Sequence, residues 1–184
     1  FNAVPEEVPG IEQIVPELDF VDYAAVDEMD YTLKGRLDAS LVVDPRIVVK
    51  LSGVRIEAGF GAQLIAEGLP GQEVIFTSGA DDRYGAGGLF DTANDGDDRT
   101  PLPGDWGGLH FEPGSAGGLR HAEISFAQTG LHVEGTVAVY SSTIAASAQD
   151  GIRVTGAGSV SLAHNAFAGN GGRAIDNQTS NCVD

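Results

Sequence analysis

Thr129-Gly130-Leu131-His132-Val133, then Asp150-Gly151-Ile152-Arg153-Val154, then Arg173-Ala174-Ile175-Asp176 are one phrase written three times along the second half of the chain. A second phrase keeps step with it. His121-Ala122-Glu123-Ile124-Ser125-Phe126 is echoed by Ser141-Ser142-Thr143-Ile144 and by His164-Asn165-Ala166-Phe167. Between these phrases the apolar residues Ile124, Leu131, Val137, Ile144, Ile152, Val160, Phe167 and Ile175 recur at gaps of six to eight residues. The repeat is about 20 to 23 residues long and holds three short apolar stations separated by turns. Self-similarity at such a period marks a solenoid, in which a single repeat cannot bury its own apolar face and stacking supplies the core. Three stations of three to five residues per turn predict an all-β fold, a right-handed parallel β-helix of about six coils.

Working backward, coils are expected from Tyr31. Tyr31-Thr32-Leu33, Leu41-Val42-Val43, Ile47-Val48-Val49-Lys50-Leu51, Val54-Arg55-Ile56, Ala62-Gln63-Leu64-Ile65 and Val74-Ile75-Phe76 are short strand-like runs. Gly35, Asp44-Pro45, Gly53, Gly59, Gly61, Gly68, Pro70 and Gly71 punctuate them, in the manner of turns. Such runs are too close together for crossover helices, which excludes an ordinary α/β parallel sheet. An antiparallel sandwich also has many short strands, but it does not predict phrases repeated in one order.

Two segments break the rhythm. Residues 1–30 carry nine acidic groups and no Lys or Arg, with Pro5, Pro9 and Pro16 among them. They read as an irregular N-terminal cap or linker, whose Ile11, Ile14, Val15, Leu18, Phe20 and Val21 suit the cover that an open solenoid end needs. Residues 31–184 form the β-helix domain, interrupted at 81–103 by an Asp-rich stretch that reads as a loop thrown out from one coil. Insertions on a solenoid face are where function is added.

The 184 residues suit one domain with a continuous core. The net charge of −17 sits mostly in the two irregular segments. So acidic a chain lacks the Lys and Arg that nucleic-acid phosphates require, and anionic lipid is excluded on the same ground. No stretch approaches the roughly 18 to 20 apolar residues of a membrane span, so no membrane insertion is expected. The chain opens on Phe1 without a basic-then-apolar leader, as a processed product or a piece of something longer would. Cys182 stands alone, and one Cys says little about redox compartment.

Ala62-Gln63-Leu64-Ile65-Ala66-Glu67-Gly68, Val74-Ile75-Phe76-Thr77-Ser78, Asp81-Asp82-Arg83-Tyr84-Gly85 and Pro103-Gly104-Asp105-Trp106-Gly107-Gly108 follow in distinctive order and spacing. With these phrases, residues 31–177 resemble the right-handed, pectate-lyase-like β-helix modules of large bacterial secreted and surface proteins. The resemblance implies a rod or display scaffold in an extracellular or cell-surface setting; it does not imply lyase activity, since no catalytic set is shared across the family. It implies as partners an extracellular-matrix or cell-surface glycan or protein, and open coil ends allow end-to-end stacking with a parent chain or with copies.

The candidate chemistry lies in Asp91-Thr92-Ala93-Asn94-Asp95-Gly96-Asp97-Asp98. Ca²⁺ takes six to eight oxygens, and Asp91, Asn94, Asp95, Asp97 and Asp98 are the expected metal ligands, with Asp81 and Asp82 able to complete the set if the loop folds back. Ala93 occupies the position where an EF-hand loop has its second oxygen side chain, and Leu102 stands where its Glu would be. The segment therefore reads either as a calcium site or as a solvated acidic loop. His110, His121, His132 and His164 fall on separate strands and are expected to face solvent. His110 with His121, or His121 with His164, are the pairs considered for zinc, which needs converging ligands. Trp106 among its glycines is expected to seal the corner where the insertion leaves the coil. Polysaccharide cleavage, or glycan binding, is the rival function. Elimination on a uronate would need a base beside charge-neutralising groups, with Lys50, Arg55 and Arg120 as outward candidates.

Overall fold

The computed structural model describes residues 40–84 and 99–180. Their strands are β1 (Ser40–Val43), β2 (Val48–Leu51), β3 (Arg55–Ala58), β4 (Gln63–Glu67), β5 (Val74–Ser78), β6 (Gly108–Phe111), β7 (Ala116–Arg120) and β8 (Ala122–Ser125). They continue as β9 (Leu131–Val133), β10 (Thr136–Tyr140), β11 (Thr143–Ala145), β12 (Ile152–Val154), β13 (Ser159–Ala163), β14 (Ala166–Ala168) and β15 (Ile175–Asn177). Each strand pairs with the one three places on, always in parallel, giving three five-stranded sheets: β1-β4-β7-β10-β13, β2-β5-β8-β11-β14 and β3-β6-β9-β12-β15. The fold is a parallel β-helix of five coils among the described residues. At roughly 4.8 Å per coil it is about 24 Å long. Tyr31-Thr32-Leu33, expected to open a sixth coil, and the acidic segment 1–30 lie outside the described residues.

The repeated phrases define the register. Leu131 pairs with Leu109 on one side and Ile152 on the other, and Ile152 with Ile175. In the second sheet Phe76, Ile124, Ile144 and Phe167 form the equivalent column. In the first, Ala66, Leu119, Val139 and Leu162 do the same. Except for the last-coil residues Ile175, Phe167 and Leu162, these side chains are buried. Burying a Leu, Ile or Phe contributes roughly 1.5–3 kcal/mol, and only a neighbouring coil makes that burial available.

The corners repeat as strictly as the strands. His121, Ser141 and His164 have φ of 44°, 51° and 58° at one corner of successive coils, and Phe126, Ala146 and Gly169 have 62°, 52° and 63° at the next. Left-handed backbone is costly for residues with a β-carbon. Hydrogen bonds between coils hold it here: His121 N–H donates to Tyr140 O at 3.1 Å, Ser141 to Ala163 O at 2.9 Å, and Ala146 to Ala168 O at 2.9 Å. Asn165 and Asn170 extend the bracing. Asn165 Oδ1 accepts from Ser142 N–H at 2.9 Å and its amide donates to Val139 O at 2.7 Å. Asn170 does the same with Ser147 N–H and Ile144 O.

Between β5 and β6 the described residues Asp81–Tyr84 and Arg99–Pro103 hold no strand, and the rest of the expected insertion lies outside the described residues. Trp106 closes the re-entry. Its side chain is 1% exposed, and its indole N–H donates to Ser125 O at 2.8 Å. A ring so deeply covered is structural and has no face free for a sugar.

Candidate functional site

Outward-facing residues of the third sheet share one register row: Glu57 on β3, His110 on β6, His132 on β9, Arg153 on β12 and Asp176 on β15. In-register stacking places like positions at strand spacing, so a charge on one coil meets whatever the repeat wrote on the next. Here the meeting produces a pair of imidazoles. The rings of His110 and His132 stack with centroids 4.4 Å apart and planes within 4° of parallel.

Carboxylates frame the pair. Glu57 Oε2 lies 3.8 Å from His110 Nδ1, and Glu134 Oε2 lies 3.5 Å from His110 Nε2. Both distances exceed a hydrogen bond. The two ring nitrogens of His110 are thus buried without a hydrogen-bond partner among the described residues. A buried polar group left unsatisfied costs about 1–3 kcal/mol. His132 is better served, since its Nε2 lies 2.8 Å from Thr155 Oγ1, and that hydroxyl donates to Glu134 Oε1 at 3.2 Å.

Burial holds the His132 imidazole below its ordinary value of 6.5, and His110 acts in the same direction. Burial would raise the Glu57 carboxyl, but hydrogen bonds with Glu112 and Arg55 and the charge of Arg55 outweigh it and keep it below the usual 4.5. Arg55 Nε donates to Glu57 at 2.7 Å, fixing that carboxylate beside the ring. Farther along the row, Arg153 pairs with Asp150 at 2.5 Å and lies 3.9 Å from Asp176, which also pairs with Arg173.

His110, His132 and Glu134 each offer a ligand atom, and those atoms lie within 4.8 Å of one another. The expectation that the histidines face solvent separately does not hold for this pair. His110 retains only 14% of its side-chain exposure because His132 covers it from the next coil. His121 and His164 sit instead at left-handed corners between the first and second sheets. The signal was in the sequence: Gly108-Leu109-His110-Phe111-Glu112 and Gly130-Leu131-His132-Val133-Glu134 are the same phrase, one coil apart.

Asp91, Asn94, Asp95, Asp97 and Asp98, the residues expected to hold calcium, lie outside the described residues. Asp81, offered as a completing ligand, is already committed. Fully buried, it accepts from Thr77 Oγ1 at 2.5 Å and from Arg83 Nε and Nη2 at 2.8 Å each. Arg83 continues to Glu123 at 3.3 Å, where Tyr84 also donates at 2.6 Å. This network pins Asp81–Tyr84, the segment that follows β5, to the coil. Lys50, Arg55 and Arg120 fall on three different sheets.

Compared with known protein families, with curated proteins and with solved structures, the chain has no significant match. Its class, a parallel β-helix, therefore stands on the strand pairing itself.

Proposed function

We propose that this chain is a non-catalytic structural or adhesive module of a secreted or cell-surface bacterial protein, a pectate-lyase-like β-helix that serves as a rod and carries the 81–103 insertion on its flank. The observation that supports it most is the uninterrupted register of all three sheets through five coils. Polar bracing between coils is spread along the rod, at Asn165 and Asn170 and in the Arg153 and Asp81 networks. Separation of Lys50, Arg55 and Arg120 onto different sheets supports the same reading, because uronate elimination needs its base and its charge-neutralising groups at one place.

Its partners would be extracellular-matrix or cell-surface glycans or proteins, with the coil ends as candidate stacking surfaces for a parent chain or copies, and Ca²⁺ a candidate ligand of the acidic insertion. A screen of immobilised glycans and matrix proteins, with calcium and with chelator, tests the reading beside an assay of uronate polymers at 235 nm. Retention on at least one surface ligand without new absorbance is the expected result. Growth of absorbance on a uronate polymer would replace the scaffold with a lyase.

A further inference from the structure

We propose that His110, His132 and Glu134 form a site for one divalent transition-metal ion, Zn²⁺ fitting best, that ties two neighbouring coils together. This inference is independent of the structural reading above, since a rod or an enzyme could carry such a site.

The donor set is the first argument. Two imidazoles and a carboxylate are borderline ligands, suited to Zn²⁺, Cu²⁺ or Ni²⁺ and poorly matched to Ca²⁺ or Mg²⁺, which select oxygen. Zn²⁺ with three protein ligands keeps a fourth position for water or another group. The three ligand atoms are within 4.8 Å of one another. Tetrahedral coordination at roughly 2.0–2.1 Å brings ligand atoms to about 3.3 Å apart, so the site must contract. Parallel rings do not aim their lone pairs at a common point. They would need to turn about the bond joining ring to β-carbon, a broad and soft torsion.

His110 is the second argument. Its two ring nitrogens are buried and unbonded among the described residues, an unused capacity that only Ser147 Oγ shares there. A metal on Nε2, the nitrogen facing Glu134, would use one of them. Glu57, held by Arg55, faces the other at 3.8 Å. A carboxylate behind a metal-binding imidazole is a recurrent arrangement that fixes the tautomer and raises ligand basicity. Thr155 holds the free oxygen of Glu134 in the same way.

Charge is the third. Glu57 and Glu134 flank His110, Glu112 hydrogen-bonds with Glu57, and Arg55 is the cation that touches Glu57. Arg153, the next residue of the row, is engaged by Asp150 and Asp176.

Chelator-stripped full-length chain titrated with ZnCl₂ by calorimetry, and melted with and without the ion, tests the proposal. One ion per chain and a rise in Tm are expected. Co²⁺ in its place should give visible d–d absorption. His132→Gln and Glu134→Gln should abolish the Tm rise and the Co²⁺ band, while Glu57→Gln weakens binding about tenfold or more. His164→Asn, at a distant corner, should bind as the parent does. Metal-free melts of each variant check that the fold survives. Absence of heat and of any Tm shift would overturn the proposal. So would binding that survives His132→Gln but disappears in Asp97→Asn, because the ion would then belong to the acidic insertion.

Discussion

Gly108 and Thr129 approach so closely that a β-carbon on Gly108 would lie 1.8 Å from the Thr129 carbonyl oxygen. Gly108 also has φ of 93°, where side chains are strained whatever the space. The site is a coil-to-coil contact, so relief would require moving one turn of backbone away from the next. Gly108→Ala should cost more than about 3 kcal/mol, the upper range for strained backbone before any clash is added. Gly118→Ala supplies the contrast. Nothing lies within 4 Å of its added β-carbon and its φ is ordinary, so it should be neutral or stabilising by about 0.4–1 kcal/mol. Urea denaturation of both variants measures the difference.

Asp81 makes the coil sensitive to acid. Burial pulls its carboxyl upward, but the hydrogen bonds from Arg83 and Thr77 and the charge of Arg83 win and hold it below its ordinary 3.8. The folded state therefore binds its proton less readily than the unfolded chain. The stabilisation is complete above pH 3.8 and disappears as pH falls through the lower folded value. Asp81→Asn should lose about 1.5–3 kcal/mol at neutral pH, the worth of charge-assisted hydrogen bonds. Melting curves between neutrality and strong acid should converge for parent and variant at the acid end.

Asn165 tests the bracing between coils. Its amide satisfies one N–H and one carbonyl of the preceding coil, at Ser142 and Val139. Asn165→Ala leaves both without that partner and should lower stability by about 2 kcal/mol, at roughly 1 kcal/mol for each bond. Hydrogen exchange should show the Ser142 amide losing protection while Ile152, in another sheet, keeps its own.

The repeat was legible because burial and register come from the same residues. Ile124, Ile144 and Phe167 announce a column, and the column is there. β7 was harder to see. Gly117 and Gly118 erase the apolar alternation, since the ring of Phe111 fills the space at Gly117, where a β-carbon would lie 2.4 Å from it. Phe111, on the preceding strand, supplies the side chain that β7 omits. Trp106 declared its role through its glycine neighbours. The histidine pair was hidden for a different reason: metal motifs are sought at short spacings, whereas a solenoid brings together residues one whole coil apart. Reading His110 against His132 requires the register first.

Methyl–methyl NOEs in protein labelled at Ile and Leu test the stacking of successive coils most directly. Cross-peaks joining Ile124 to Ile144, Leu109 to Leu131, Leu131 to Ile152 and Ile152 to Ile175 are predicted. Their absence, with contacts instead between residues out of step with the repeat, would contradict the fold and everything built on it.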